Sequence, residues 1–423
     1  MSKTVASVIT IGDELLIGQT IDTNSAWIGK QLNALGIDLR RRVAVGDDKK
    51  AITDALNEEL ANAQLVIVTG GLGPTADDIT KPLLLEYFGG KMVVNERVLE
   101  HVKDLFAKRN RPFLERNMKQ AEVPETCSVL FNRMGTAPGM WFERDGRVVI
   151  SLPGVPFEMI SIMQEEALPR IKERFTGDAI VHLSVITAGE GESFVAEKIQ
   201  DLEEALPAHI KLAYLPGAGM VKLRLTGHGT DEAALTEEMR PHQMAIANRL
   251  EDIVISLTDE PMEAILHRWF TRNGKTLALA ESCTGGYMAH LLTQVSGSSK
   301  YFRGGIVVYQ TDVKLDVLGV SKEVVDTNGV VSDATALAMA QQAGTVLKAD
   351  YAFGITGMLE PPIGDDRSTG MAWMAVAGPD GRTLSRRYVF HYDRHRNKEM
   401  AASMGLLMLY KFVTDGTRPW REQ

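Results

Sequence analysis

Ser282, Tyr309 and Lys314 are residue types that together can cleave an amide: a hydroxyl to attack a carbonyl carbon, an amine to take its proton, and a phenol to relay or orient that proton. Ser282 lies in Glu281-Ser282-Cys283-Thr284-Gly285-Gly286. This stretch follows the apolar run Thr276 to Ala280 and precedes Met288, Leu291, Leu292 and Val295, which recur at helical spacing. The hydroxyl therefore stands at a strand-to-helix junction. Unpaired amides at Thr284, Gly285 and Gly286 and the positive end of a helix dipole there suit an oxyanion or a phosphate. A second strand, Gly305 to Tyr309, is followed by Thr311 or Asp312, either of which suits an N-cap and puts Lys314 in the first turn of the next helix. The dipole disfavours a cation at that place, which predicts a lowered lysine pKa and a general base. The same residues also fit a plainer arrangement, with Ser282 and Thr284 as helix caps, Tyr309 at a sheet edge and Lys314 in solvent. Cys283 is either a rival nucleophile or a small core residue.

A second constellation lies near the N-terminus, in three loops that each follow a strand: Gly12-Asp13-Glu14, Gly70 to Asp78, and Leu152 to Glu158. Ligands of open α/β sheets bind at such strand ends. Gly12, Gly70, Gly71, Gly73 and Gly154, beside Thr75 and Pro153, let backbone approach phosphates closely. Asp13, Glu14, Asp77, Asp78 and Glu158 are hard oxygen ligands of the type a magnesium-like ion takes. Phosphate and metal together suggest a pyrophosphate substrate. The alternative is that Asp77 or Asp78 caps the next helix and the glycines only make turns. Asp22 reads as a helix cap, and the loop Asn132 to Pro138, with Gly135, offers a fourth wall.

These loops need a scaffold. The opening segment alternates a strand Val5 to Ile11, a helix near Asn24 to Leu35, a strand near Asp38 to Val45, a helix near Lys49 to Ala61 and the β-branched run Leu65 to Thr69. This βαβ rhythm implies a parallel sheet covered on both faces. The block closes with Val148 to Leu152 and a helix through Leu168. Between about Gly177 and Ser256 the texture changes: Val221, Leu223 and Leu225 alternate with Lys222, Arg224 and Thr226, the pattern of a strand with one wet face, and a charged helix follows from Asp231. From Thr258 a helix through Phe270 leads back to βα alternation. The sequence predicts an α/β protein with domains at 1–170, 171–256 and 257–423, the middle one a small α+β unit with an antiparallel sheet.

With 423 residues and 44% hydrophobic content the chain can fill several cores at roughly 150 residues per domain. No apolar stretch is long enough to span a bilayer, and the short first strand runs straight into Asp13 and Glu14, so neither a signal peptide nor an anchor is expected. Cys127 and Cys283, far apart and without metal-ligand spacing, indicate no disulfide framework or zinc site and fit a reducing cytoplasm. A net charge of −9 without basic blocks argues against direct nucleic-acid binding.

Together these motifs resemble the competence- and damage-inducible CinA family. Gly12 to Gly18 is similar to its Gly-x-Glu-Leu-Leu-x-Gly motif, and Gly70 to Asp78 to its Gly-Gly-Leu-Gly-Pro-Thr-x-Asp-Asp motif. Gly135 to Gly139, Leu152 to Pro156 and Ala280 to Gly286 also match, so the resemblance covers essentially the whole chain. It implies an N-terminal domain with the fold of molybdopterin-binding proteins that hydrolyses ADP-ribose to AMP and ribose 5-phosphate with a divalent metal (Mg2+ or Co2+) and K+. It implies a cofactor-free C-terminal amidohydrolase that converts nicotinamide mononucleotide to nicotinic acid mononucleotide and ammonia, in a homodimer. Ser282, Tyr309 and Lys314 would be its catalytic set, with Thr356 and Arg396 binding substrate.

One departure stands out. A glycine-rich turn usually follows Gly354-Ile355-Thr356-Gly357 in the family, whereas Met358 to Asp366 here brings Pro361, Pro362, Glu360, Asp365 and Asp366. The prolines remove donors and the carboxylates add negative charge near a presumed phosphate pocket. A smaller departure is Lys81-Pro82, where an acidic residue is commoner. Two other functions stay open: an N-terminal hydrolase with a degenerate C-terminal domain, and a ligand carrier or interaction protein linked to competence.

Overall fold

A computed structural model describes residues 4–75, 78–175, 179–217, 219–360 and 370–415. They form two compact units, one running up to Val181 together with Gly227–Thr236, the other comprising His182–Thr226 and the chain from Glu237 onward.

In the first unit the strands are β1 (Val5–Ile11), β2 (Asp38–Val45), β3 (Leu65–Thr69), β4 (Met92–Val94), β5 (Glu122–Pro124), β6 (Ser128–Leu130), β7 (Gly139–Arg144) and β8 (Arg147–Leu152). Six of them form one sheet in the order β2-β1-β3-β8-β7-β6, and β4 and β5 make a separate ribbon. The first four are parallel, and β7 and β6 extend the edge antiparallel. The alternation in β1 sets its two faces: Ala6 and Val8 enter one core with Ile28, Leu32 and Met159, and Ile9 and Ile11 enter the other with Ile52, Leu56 and Leu84. The flanking helices start where the sequence supplies caps, Asp22 accepting from the Ser25 amide and Asp48 from that of Ala51. Because β1 feeds β2 on one side and borders β3 on the other, the order reverses there, and a crevice opens at the carboxyl ends.

The closing helix Leu168–Arg174 runs through the expected boundary at 170, and Ile171 and Phe175 complete the N-terminal core. The strands that follow are β9 (Ala179–Ala188), β10 (Ile210–Gly217), β11 (Met220–Gly229) and β12 (Val254–Ser256), in the order β10-β11-β9-β12. Val221, Leu223 and Leu225 are buried, as their alternation predicts.

The last sheet contains β13 (Leu277–Glu281), β14 (Phe302–Val307), β15 (Tyr351–Met358), β16 (Gly370–Ala377) and β17 (Thr383–Phe390), in the order β14-β13-β15-β16-β17. The first three are parallel and the last two antiparallel. Ile186, Ala188 and Ile255 of the middle strands share one core with Leu279, Phe353 and Leu409. The middle sheet and the last sheet therefore pack within a single unit. Among the described residues no helix is long and apolar enough to cross a membrane.

Candidate active sites

β13 is buried along its whole length between β14 and β15, and Glu281 pairs in register with Val307 on one side and Ile355 on the other. The chain segments leaving these three strands must therefore lie side by side. The Ser282 amide donates to the Ile355 carbonyl at 3.1 Å, and the Val308 amide to that of Glu281 at 2.8 Å. Lys314 sits in the short helix Thr311–Asp316 and is 1% exposed. Its Nζ meets Ser282 Oγ at 3.0 Å, the Val308 carbonyl at 2.8 Å and the Tyr309 carbonyl at 3.0 Å.

Burial lowers the Lys314 pKa, because the ammonium is taken out of water. The sequence assigned that lowering to a helix dipole, but the helix is short and its N-cap is Gln310, with neither Thr311 nor Asp312 capping it. Burial likewise pushes the Cys283 thiol up to about 12, so it stays protonated and unreactive near neutrality.

The amides after Ser282 are used differently from the sequence expectation. The Gly285 amide donates to the Ser282 carbonyl at 3.0 Å. The buried Glu281 carboxylate accepts from Gly286 at 3.1 Å, Met288 at 3.1 Å and Ala289 at 2.8 Å, and so caps the helix Tyr287–Thr293 from inside. This leaves the Thr284 amide as the one of the three expected donors not spent in these bonds. The Thr284 hydroxyl is buried and has no partner. Thr356 is fully buried and donates its hydroxyl to the Val330 carbonyl at 2.9 Å.

Tyr309 lies beyond the end of β14, and its hydroxyl does not bridge Ser282 and Lys314; it accepts from Arg394 Nη2 at 2.6 Å. Arg394 Nη1 also donates to Glu360 at 2.8 Å. Arg396 stands away from this set, its side chain 3.9 Å from Glu399 and over the ring of Tyr392. Of the carboxylates in the departing loop, Glu360 pairs with Arg394, and Asp365 and Asp366 lie outside the described residues.

In the first unit a cleft of about 390 Å3 opens at the carboxyl ends of β1, β3 and β8. Gly12, Glu14, Gly70, Gly71, Gly73, Asp78, Pro153, Gly154 and Glu158 all line it, together with Asp47 and Gln120, which the sequence did not single out. Gly70 has φ +118°, and a Cβ there would collide with the Ile11 carbonyl, so only glycine permits the two loops to meet. The Gly154 carbonyl is held by Asn24 Nδ2 at 2.8 Å and that of Pro153 by the Thr69 hydroxyl at 3.0 Å.

Three of the five carboxylates expected as metal ligands are engaged with loop groups. Asp78 accepts from the Gly73 amide at 2.7 Å, the Thr75 amide at 2.8 Å and the Thr75 hydroxyl. Asp13 turns to the Asp47 amide at 3.2 Å and does not line the cleft. Glu158 accepts from Asn132 Nδ2 at 2.7 Å, and its partial burial raises its pKa. Asn132 Oδ1 in turn accepts from the amides of Met134 and Gly135, and a Cβ on Gly135 would run into the Glu158 carboxylate. Asp77 lies outside the described residues, and among those described no three His, Cys, Asp or Glu side chains are grouped to hold a metal. Lys81 is buried behind the cleft, its pKa lowered to about 8 by desolvation, and donates to the carbonyls of Lys119 and Gln120 at 3.2 and 3.4 Å.

Family models match in three stretches: "Probable molybdopterin binding domain" over residues 7–173, "Damage-inducible protein CinA KH domain" over 184–255 and "CinA C-terminal domain" over 259–413. A CinA-like protein of Flavobacterium psychrophilum is 42% identical over 96% of this chain and 98% of its own length. The chain belongs to the CinA-like family. A CinA-like protein of Salinibacter ruber is 39% identical over 95% of this chain and 97% of that one. Among solved structures, CinA from Thermoplasma acidophilum is 36% identical over 41% of this chain and 99% of its own, with a TM-score of 0.37.

Within this CinA-like chain, the sequence reading did not single out Arg394 or Asn397 and gave no role to Glu281 or Asn132 beyond their place in a motif and a loop. Arg394 had a signal, its place two residues before Arg396 in Asp393-Arg394-His395-Arg396. Asn397 is buried and donates to the carbonyls of Leu359 and Tyr392, both at 2.7 Å, with no motif to mark it.

Proposed function

We propose that the C-terminal site is a serine–lysine amidohydrolase acting on nicotinamide mononucleotide. The observation that carries this reading is the set of contacts around Lys314 Nζ. A neutral amine has two N–H groups and one lone pair. With the carbonyls of Val308 and Tyr309 taking the two N–H groups, the lone pair faces Ser282 Oγ. Ser282 Oγ then attacks the carboxamide carbon as its proton passes to Lys314. Collapse of the tetrahedral intermediate breaks the C–N bond, Lys314 returns the proton to the departing ammonia, and an ester to Ser282 remains. Water, deprotonated by Lys314, cleaves that ester to nicotinic acid mononucleotide and restores the hydroxyl. The Thr284 amide is the remaining donor for the oxyanion. Arg394 is the cation beside this set that suits the substrate phosphate, in place of Arg396, and it also orients the Tyr309 hydroxyl.

For the N-terminal cleft we propose hydrolysis of ADP-ribose to AMP and ribose 5-phosphate. The glycine walls and the cleft's placement at the strand-order reversal support it. The described residues form no closed metal cage, but a magnesium-like ion needs only one or two carboxylates when phosphates supply further ligands. Glu14 and Glu158 would hold it. When bound, such an ion neutralises charge on the pyrophosphate. Asp78 keeps the Gly73–Thr75 loop shaped for that group.

The test is ammonia release from nicotinamide mononucleotide and AMP release from ADP-ribose by the purified full chain. Ser282→Ala should lose the first and keep the second. Ammonia release unaffected by Ser282→Ala would overturn the amidase assignment.

A further inference from the structure

We infer that Glu360 is a built-in competitor for the anionic group of the C-terminal site's substrate. The inference rests on reading that site as one for a phosphorylated amide. The guanidinium of Arg394 is divided between two partners: Nη2 donates to the Tyr309 hydroxyl at 2.6 Å and Nη1 to the Glu360 carboxylate at 2.8 Å. Tyr309 is the residue whose carbonyl holds Lys314 at 3.0 Å, so Arg394 is one residue removed from the reacting pair. A guanidinium fork matches a phosphate as it matches a carboxylate. The arm of Arg394 that a substrate phosphate would take is therefore the arm that Glu360 holds.

Glu360 is delivered to that position by the fold. Leu359 before it is 1% exposed and belongs to the core shared with Leu279 and Phe353. The Leu359 carbonyl accepts from Asn397 Nδ2 at 2.7 Å, and Asn397 lies in the first turn of the same helix as Arg394. Gly370 closes over this joint, since a Cβ there would come 2.7 Å from both Asn397 Nδ2 and the Leu359 carbonyl. The backbone next to Glu360 is thus pinned to the helix that carries Arg394.

Both side chains are about half exposed, so their pairing is a weak, exchangeable one. A phosphate anchored through the rest of its nucleotide displaces the carboxylate, whereas a free anion gains little. The cost falls on phosphate-bearing substrates alone, because a riboside has no phosphate to call on Arg394. Removing the carboxylate should strengthen nucleotide binding by about two- to fivefold, the scale of an exposed ion pair.

The experiment compares wild type, Glu360→Gln, Arg394→Gln and the double variant by calorimetry. Nicotinic acid mononucleotide carries the phosphate without needing turnover, and nicotinic acid riboside, a net-neutral zwitterion identical but for the phosphate, serves as the phosphate-free probe. Glu360→Gln should bind the mononucleotide about two- to fivefold more tightly and the riboside unchanged, and the gain should vanish in the Arg394→Gln background. An equal gain on both probes, no gain on the mononucleotide, a gain that persists without Arg394, or no mononucleotide binding by any of the proteins would overturn the inference. If wild type releases no ammonia from nicotinamide mononucleotide yet Glu360→Gln still tightens the mononucleotide, the amidase reading fails and the role of Glu360 stands.

Discussion

The two sites solve the placement of polar groups in opposite ways. At the C-terminal site Lys314 and Ser282 are nearly sealed, and each hydrogen bond of the amine bears on the proton it would move. In the N-terminal cleft, Asp78 and Glu158 spend oxygens on the amides and side chains of the surrounding loops, around an open space of about 390 Å3. Burial penalises polar groups left unsatisfied, so a buried site is largely assembled before its substrate arrives, the Thr284 hydroxyl being the exception here. An open cleft leaves part of its geometry to the ligand.

The sharpest way to break this contrast is to remove the assembled pair. Ser282→Ala or Lys314→Met should cut ammonia release by about 10²- to 10⁴-fold. AMP release from ADP-ribose should stay within a few-fold, because the substitution lies in the other unit. Comparable losses in both assays would show that the sites are not independent.

Asp78→Ala should lower ADP-ribose hydrolysis by about ten- to a hundredfold, since three loop donors lose their acceptor. A metal titration separates the roles: an unchanged activation constant fits a loop organiser, whereas a large rise would make Asp78 a ligand. Arg394→Ala should raise KM for nicotinamide mononucleotide by a similar factor, about ten- to a hundredfold for a lost charge-assisted bond, and Arg396→Ala by less than about twofold. The reverse ranking would restore Arg396 as the phosphate contact.

Two pH dependences are smaller in effect. Lys314 works as a base only when neutral, so amidase kcat/KM should rise with pH and level off above its folded pKa, which burial holds below the ordinary lysine range. A flat acid limb would remove Lys314 as the base. Lys81, lowered to about 8 when folded, binds fewer protons folded than unfolded between that pH and about 10.5. Its contribution therefore makes the fold more stable as pH rises through that window, by up to roughly 1.4 kcal/mol per pH unit. Denaturant unfolding of wild type minus Lys81→Met should show that slope, and parallel curves would exclude it.

The fold was legible where local chemistry decides it. The β-branched run Leu65–Thr69 is a strand with the predicted ends, and Asp22 caps the helix it precedes. Ser282 and Lys314 were legible as types at junctions, although their contact depends on the parallel register of β13 and β14. What escaped were long-range polar contacts. Glu281 reaches amides five to eight residues on, outside any local capping pattern. Arg394 and Arg396 differ by two helical positions, a rotation of about 200°, so the two arginines leave the helix on nearly opposite faces, which their spacing alone does not assign. Tyr309 was placed in a strand that ends at Val307, and past that end the alternation of strand faces no longer fixes where its hydroxyl points.

The core that β9 and β12 share with the last sheet bears on how portable the C-terminal module is. Tyr410 donates to the Ile255 carbonyl at 3.0 Å and Lys411 to that of Ala188 at 3.3 Å, both from the long helix that carries Arg394 near its start. A chain beginning after Ser256 would strip apolar cover from that helix and strand both donors. A chain carrying the C-terminal half alone would need a different outward face on this helix, and an expression boundary drawn at the seam between the matched domains would sever a working hydrophobic joint.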